Sequence, residues 1–146
     1  MKLFKYAAVA MMFSSPVMAQ DGMWVNFGGV SKHFSSERFQ DSNKGLGIEV
    51  PVSGYLIGVG MYRNSVNRTS RYVVAEKTML RYGPVGLGAM AGFVDGYPMN
   101  DGSFIPMVAP SMTVDAGRVG LRFIYIPQVE KRVASVISVQ IRVKLN

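Results

Sequence analysis

Ile137-Ser138-Val139-Gln140-Ile141-Arg142-Val143-Lys144-Leu145-Asn146 closes the chain with apolar residues at every odd position and polar residues at every even one. Only a backbone whose side chains alternate between two faces separates the sets this cleanly, so the segment reads as a half-buried β-strand. The same period runs through Val119, Leu121, Phe123 and Tyr125 against Arg118, Gly120 and Arg122. It recurs in Val85, Leu87, Ala89, Ala91 and Phe93 against Gly86, Gly88, Met90 and Gly92. Working outward from these runs and the turn punctuation between them gives eight predicted strands, near 23–34, 45–51, 53–63, 70–80, 84–95, 105–114, 117–126 and 133–145. The connections are tight around Pro51-Val52, 81–83 and Asp115-Ala116, and longer at 35–44, 64–69, 96–104 and 127–132, so short and long ends fall on opposite rims.

Composition narrows the field further. With 146 residues there is room for one domain. A hydrophobic fraction of 49% with 17% charged residues is not that of a disordered chain. The absence of cysteine excludes a disulfide scaffold and thiolate metal sites, and a single histidine excludes a multi-histidine metal site. No cofactor is expected. The formal charge of +7 is scattered rather than gathered on one element, which argues against a nucleic-acid partner. Residues 1–19 read as a secretory signal peptide: Lys2 and Lys5 form the basic start, Tyr6 to Phe13 the apolar stretch, and Val17-Met18-Ala19 the cleavage site. Residues 20–146 then form the mature domain.

An exported chain with an even number of antiparallel strands and unequal loops at its two ends is expected to be all-β, an eight-stranded up-and-down barrel of the outer-membrane type. A soluble barrel or sandwich in the periplasm uses the same period-two code and is the alternative architecture. The outward apolar sets on the fifth, seventh and eighth strands favour the membrane, as do Trp24, Tyr55, Tyr72, Tyr82, Phe93, Phe104 and Tyr125 near strand ends. The ending Leu145-Asn146, without a terminal aromatic, counts against it.

The opposite face of the strands is rich in glycine: Gly45 and Gly47, Gly58 and Gly60, Gly86, Gly88 and Gly92, and Gly120. A bore stripped of side chains could hold one small ligand, although glycine equally relieves crowding in a small barrel. Pro106 and Pro110 lie on the sixth strand and Pro127 ends the seventh, each removing a backbone donor from a wall that would otherwise use it. Such a seam is a candidate for lateral lipid access.

The stretch from Val85 to Pro127, with Gly86-Leu87-Gly88, Ala91-Gly92, Ile105-Pro106, Val108 to Pro110, Ser111 to Val114, Gly117, Val119 and Tyr125-Ile126-Pro127, resembles the PagP family of lipid A palmitoyltransferases. The resemblance extends to His33 and Ser65. It implies an eight-stranded outer-membrane barrel that moves a palmitoyl-like fatty acyl chain from a phospholipid donor to lipid A or a related lipid. The chain would be held in an interior cavity lined here by Gly58, Gly60, Gly86, Gly88 and Gly92, with lipid entering beside Pro106, Pro110 and Pro127. The family's active residues are a histidine, an aspartate and the serine after it, which carry over to His33, Asn64 and Ser65, with asparagine standing in place of the aspartate.

These residue types suit acyl transfer. Imidazole can take a proton from a hydroxyl and return it to the leaving group, and serine can attack or hydrogen-bond the acyl carbonyl. Asparagine can orient an imidazole but supplies no charge. Arg63, Arg68, Arg71, Lys32 and the Lys131-Arg132 pair make the same rim basic, which suits lipid phosphates. Two functions are therefore expected in turn: a monomeric outer-membrane acyltransferase acting on membrane lipids, and a non-catalytic barrel with a lipid-binding, receptor-shielding or structural role.

Overall fold

The computed structural model describes residues 22–34, 41–128 and 135–145, without the side chains of residues 99 and 100. The expected signal peptide and the Lys131-Arg132 pair lie outside the described residues. Eight strands follow one another: β1 (Trp24–His33), β2 (Ser42–Val52), β3 (Tyr55–Arg63), β4 (Thr69–Tyr82), β5 (Val85–Val94), β6 (Ile105–Ala116), β7 (Val119–Ile126) and β8 (Val136–Lys144). A 3-10 turn at Met99–Gly102 is the one helical element among the described residues. Every sequential pair is antiparallel, and β1 pairs with β8 from Trp24↔Lys144 to His33↔Val136, so the sheet closes. Closure removes the unpaired edges an open sheet would present. The all-β up-and-down barrel is therefore the fold, and the sandwich alternative is not.

The short turns between β2 and β3, β4 and β5, and β6 and β7 share one rim with Trp24 and Lys144. Gly54 and Gly83 take positive φ (81° and 56°), as tight hairpin turns require. The longer connections share the other rim with His33 and Val136.

Faces follow the sequence alternation. On β8, Ile141 is 48% exposed while its neighbour Arg142 is 1% exposed. Leu46, Ile48, Val59, Met61, Val73, Leu87, Phe93, Val119 and Leu121 are likewise exposed on the exterior. In β1 a bulge between Asn26 and Gly28 interrupts the alternation, with Gly28 at φ 72° and its N–H donated to Asn26 Oδ1 at 2.8 Å. Trp24 and Asn26 are buried below it and Ser31 above it, so the inward set changes from even to odd positions across the bulge. Two aromatics differ from the expected interfacial girdle. Trp24 is buried, with the Arg142 guanidinium 4.3 Å above its ring. Tyr72 is also turned inward and takes up space that the glycines leave.

The bore is filled with paired charge. Arg122 lies between Glu49 and Glu76: Nη1 donates to Glu49 Oε1, and Nη2 is 2.9 Å from Glu49 Oε2 and 2.5 Å from Glu76 Oε2. Arg142 Nη1 reaches Glu49 Oε2 at 3.4 Å, and its Nη2 holds both Asp115 oxygens at 2.9 Å. Asn26 donates to Gln140 at 2.8 Å and to Glu49 at 3.3 Å, and Ser111 donates to Glu76 at 2.8 Å. Charges removed from water are tolerated only when paired and hydrogen-bonded, and this network ties β1, β2, β4, β6, β7 and β8 across the bore. Above it, on the wall formed by β5 to β7, Met90, Ala109 and Ile124 make a small apolar cluster with Met107 and Ile126 against it.

Candidate functional site at the long-loop rim

The glycine face makes room for protein side chains. A Cβ at Gly60 would lie 2.7 Å from the Tyr72 hydroxyl, and one at Gly47 would collide with that same hydroxyl. A Cβ at Gly58 would meet Val74 Cγ2 at 3.2 Å, and one at Gly86 would meet Thr113 Oγ1 at 2.7 Å. At Gly88 and Gly92 the β4 backbone itself is in the way, through Lys77 and Val73. Beside Gly58, Gly60 and Gly86 the space that a side chain would take is thus met by Val74, Tyr72 and Thr113, and beside Gly88 and Gly92 by the neighbouring strand. A void beside Asn26, Gly28, Tyr62, Tyr72 and Gln140 measures about 10 Å³, the scale of a single water molecule. Glycine identity in the sequence signals close approach, but not which neighbour approaches.

Asn64 and Ser65 begin the turn between β3 and β4. The Asn64 side chain is fully buried. Its Oδ1 accepts the N–H groups of Val66 at 3.1 Å and Arg68 at 2.9 Å, and its Nδ2 donates to Ser70 Oγ at 2.9 Å and Gly96 O at 3.0 Å. An amide has two donors and two acceptor lone pairs, so its capacity is used. Asn64 organises its own loop and anchors it to the β5–β6 connection. Ser65 is half-buried beside it.

His33 ends β1 with its side chain 10% exposed, and Nδ1 lies 3.5 Å from Asp41 Oδ1. The partner brought to the imidazole is therefore an aspartate from the β1–β2 connection, followed directly by Ser42. Sequence reasoning missed Asp41 because it sits inside a ten-residue connection whose path the alternation leaves open.

The rim holds a second carboxylate. Asp95, just beyond β5, accepts the Arg71 backbone N–H at 2.5 Å, Arg71 Nε at 2.7 Å and Nη2 at 2.6 Å. The backbone donor and the guanidinium hold its carboxyl below the ordinary aspartate range. Tyr97, from the same connection, shares a 2.9 Å hydroxyl contact with Tyr62, and burial raises its phenol above the usual value.

The three prolines mark a real discontinuity. Between β6 and β7 the ladder runs only from Ser111↔Ile124 to Ala116↔Val119, whereas β5 and β6 stay paired up to Val94↔Ile105. Pro106 and Pro110 therefore lie where β6 has left β7, and Pro127 follows the end of β7. The seam is backed from within by Met107, Ala109, Ile124 and Ile126.

No protein-family model and no curated protein matches this chain.

Proposed function

We propose that the chain is an outer-membrane barrel, exported and inserted with its long loops outward, whose bore is closed to ions and whose work is done at its wall and outer rim. The observation that carries this reading is the inversion of polarity: exposed Leu46, Ile48, Val59, Met61, Phe93 and Ile141 outside, paired Glu49, Glu76, Arg122 and Arg142 inside. In water such an exterior would be a contiguous apolar liability, whereas hydrocarbon requires both it and the closed hydrogen-bond ladder. Expressed with its leader, the protein should sediment with outer membranes and migrate differently before and after boiling. Recovery in the soluble periplasmic extract would contradict the proposal.

A second reading, acyl transfer to lipid A or a related lipid, is supported by a specific observation: His33 has Asp41 at 3.5 Å with Ser42 next in the chain. These are the residue types that the PagP resemblance implies. In this reading His33 acts as general base, Asp41 orients it, and Ser42 or Ser65 supplies the hydroxyl. The filled bore moves the fatty chain to the β6–β7 seam beside Pro106, Pro110 and Pro127. Lipid mass spectrometry tests it: cells making the protein should gain a lipid heavier by one acyl chain, and His33→Ala and Asp41→Asn should each abolish the gain. An unchanged lipid profile with folded protein in the membrane would overturn the acyltransferase reading and leave the barrel standing.

A further inference from the structure

A surface hollow lies on the outside of the wall, between the upper parts of β2 and β3. It has a volume of about 700 Å³ and is lined by Ser42, Lys44, Gly45, Leu46, Met61, Tyr62, Arg63 and Thr69. The lining is graded along the strands. Lys44 and Arg63 are the next residues toward the rim beyond the Gly45↔Tyr62 pair, and both cations are exposed. One outward step further from the rim come Leu46 and Met61, which are directly paired and more than half exposed. Ser42 and Thr69 add hydroxyls at the rim end. Arg63 spends one nitrogen on Asn67 Oδ1 at 2.9 Å, and no carboxylate among the described residues lies within ion-pair distance of Lys44 or Arg63. Met61 also pairs with Arg71, whose charge is already met by Asp95.

We infer that this groove binds an anionic membrane lipid, with its phosphate against Lys44 and Arg63 and an acyl chain along Leu46 and Met61. The inference rests on the membrane reading above and gives it a ligand and a place. Two cations above an apolar floor complement a molecule whose negative group and hydrocarbon tail are joined in that order along the membrane normal. Arginine offers a fork to phosphate oxygens and lysine a point charge, and neither contributes to a zwitterionic headgroup the same net attraction. The floor continues downward into Ile48 and Val59, so the tail would remain within the apolar wall.

The test is native mass spectrometry of the full mature barrel released from detergent micelles, with phosphatidylglycerol, lipid A or phosphatidylcholine added at equal concentration. The two anionic lipids should be retained at least about five-fold more than phosphatidylcholine, whose choline cation offsets the phosphate charge that Lys44 and Arg63 attract. The comparison between them identifies which is the better fit. Lys44→Glu with Arg63→Glu should abolish the preference, Lys44→Gln with Arg63→Gln should reduce it, and Arg118→Glu at the opposite rim should leave it unchanged. Millimolar inorganic phosphate should not compete, because it lacks the tail. Equal retention of all three lipids, or a preference that survives both double substitutions in protein with the wild-type mobility shift on boiling, would overturn the groove. A barrel that inserts into no lipid vesicle would overturn the membrane reading and the groove together.

Discussion

The bore near the short-turn rim and the loops at the opposite rim are both rich in polar contacts, yet they are built in different ways. In the bore, Glu49, Glu76, Arg122 and Arg142 come from strands far apart in sequence and are almost wholly removed from water, with the partly buried Asp115 at their edge. At the long-loop rim, Asn64 is satisfied by Val66, Arg68, Ser70 and Gly96, Asp95 is held by Arg71 of the adjoining strand, and His33 faces Asp41 of the next connection. The first arrangement closes the barrel on itself. The second arranges a surface. Stability should therefore concentrate in the bore and functional sensitivity at the rim and outer wall.

The largest effect is expected from Glu49→Ala, which leaves two buried guanidinium groups short of a partner. It should cost on the order of 3–5 kcal/mol in denaturant unfolding from micelles, and Glu49→Gln should cost less because hydrogen bonding is partly kept. A loss under 1 kcal/mol would show that the network is not what holds the bore. Next comes Asn64→Ala, where four hydrogen bonds disappear at a fully buried site. It should cost about 1–3 kcal/mol, expressed as faster amide exchange across residues 64–70 and at Gly96. If exchange rises equally in β7 and β8, the rim and bore are one cooperative unit and the contrast between them fails.

A smaller effect separates the regions by pH. Because the folded Asp95 carboxyl is held below its unfolded value, its contribution is complete above the ordinary aspartate range and disappears as pH falls through the depressed folded value. Acid should thus loosen the β5–β6 connection, read as faster proteolysis there, while the strands persist. Asp95→Asn should be loosened already at neutral pH and lose the acid dependence. Smallest of all, Ser65→Ala should change stability by no more than about 0.5 kcal/mol, since it removes no contact of the Asn64 turn.

How much of this was legible in the sequence differs by region for a physical reason. Alternation is local, so Ile137 to Leu145 and Val119 to Tyr125 revealed both their strands and their outward faces. The even positions of β8 also announced that Gln140 and Arg142 point away from the apolar side. Their partners could not be read, because Glu49 lies 93 residues from Arg142 and 73 from Arg122, and only closure joins them. The glycine stripe was visible, but Tyr72 and Thr113, which use the space, are specified by register between strands. The reading of Asn64 as an orienting amide came only from the family resemblance. The residue's role as a turn anchor depends on Ser70 and Gly96, which the fold delivers. The bulge at Gly28 was hidden for a related reason: one extra residue reverses the inward parity of β1 without altering composition.

In the proposed membrane barrel the odd positions of β8 face hydrocarbon while the even ones face a packed, charged bore. The chain has no cysteine, so single cysteines can be placed at each of residues 137–145 and spin-labelled in lipid vesicles. Accessibility to oxygen, which partitions into hydrocarbon, should peak at 137, 139, 141 and 143 and fall at 138, 140 and 142, with a water-soluble nickel reagent excluded from the central odd positions. High nickel accessibility at 139 and 141, or no alternation at all, would contradict a membrane-embedded barrel.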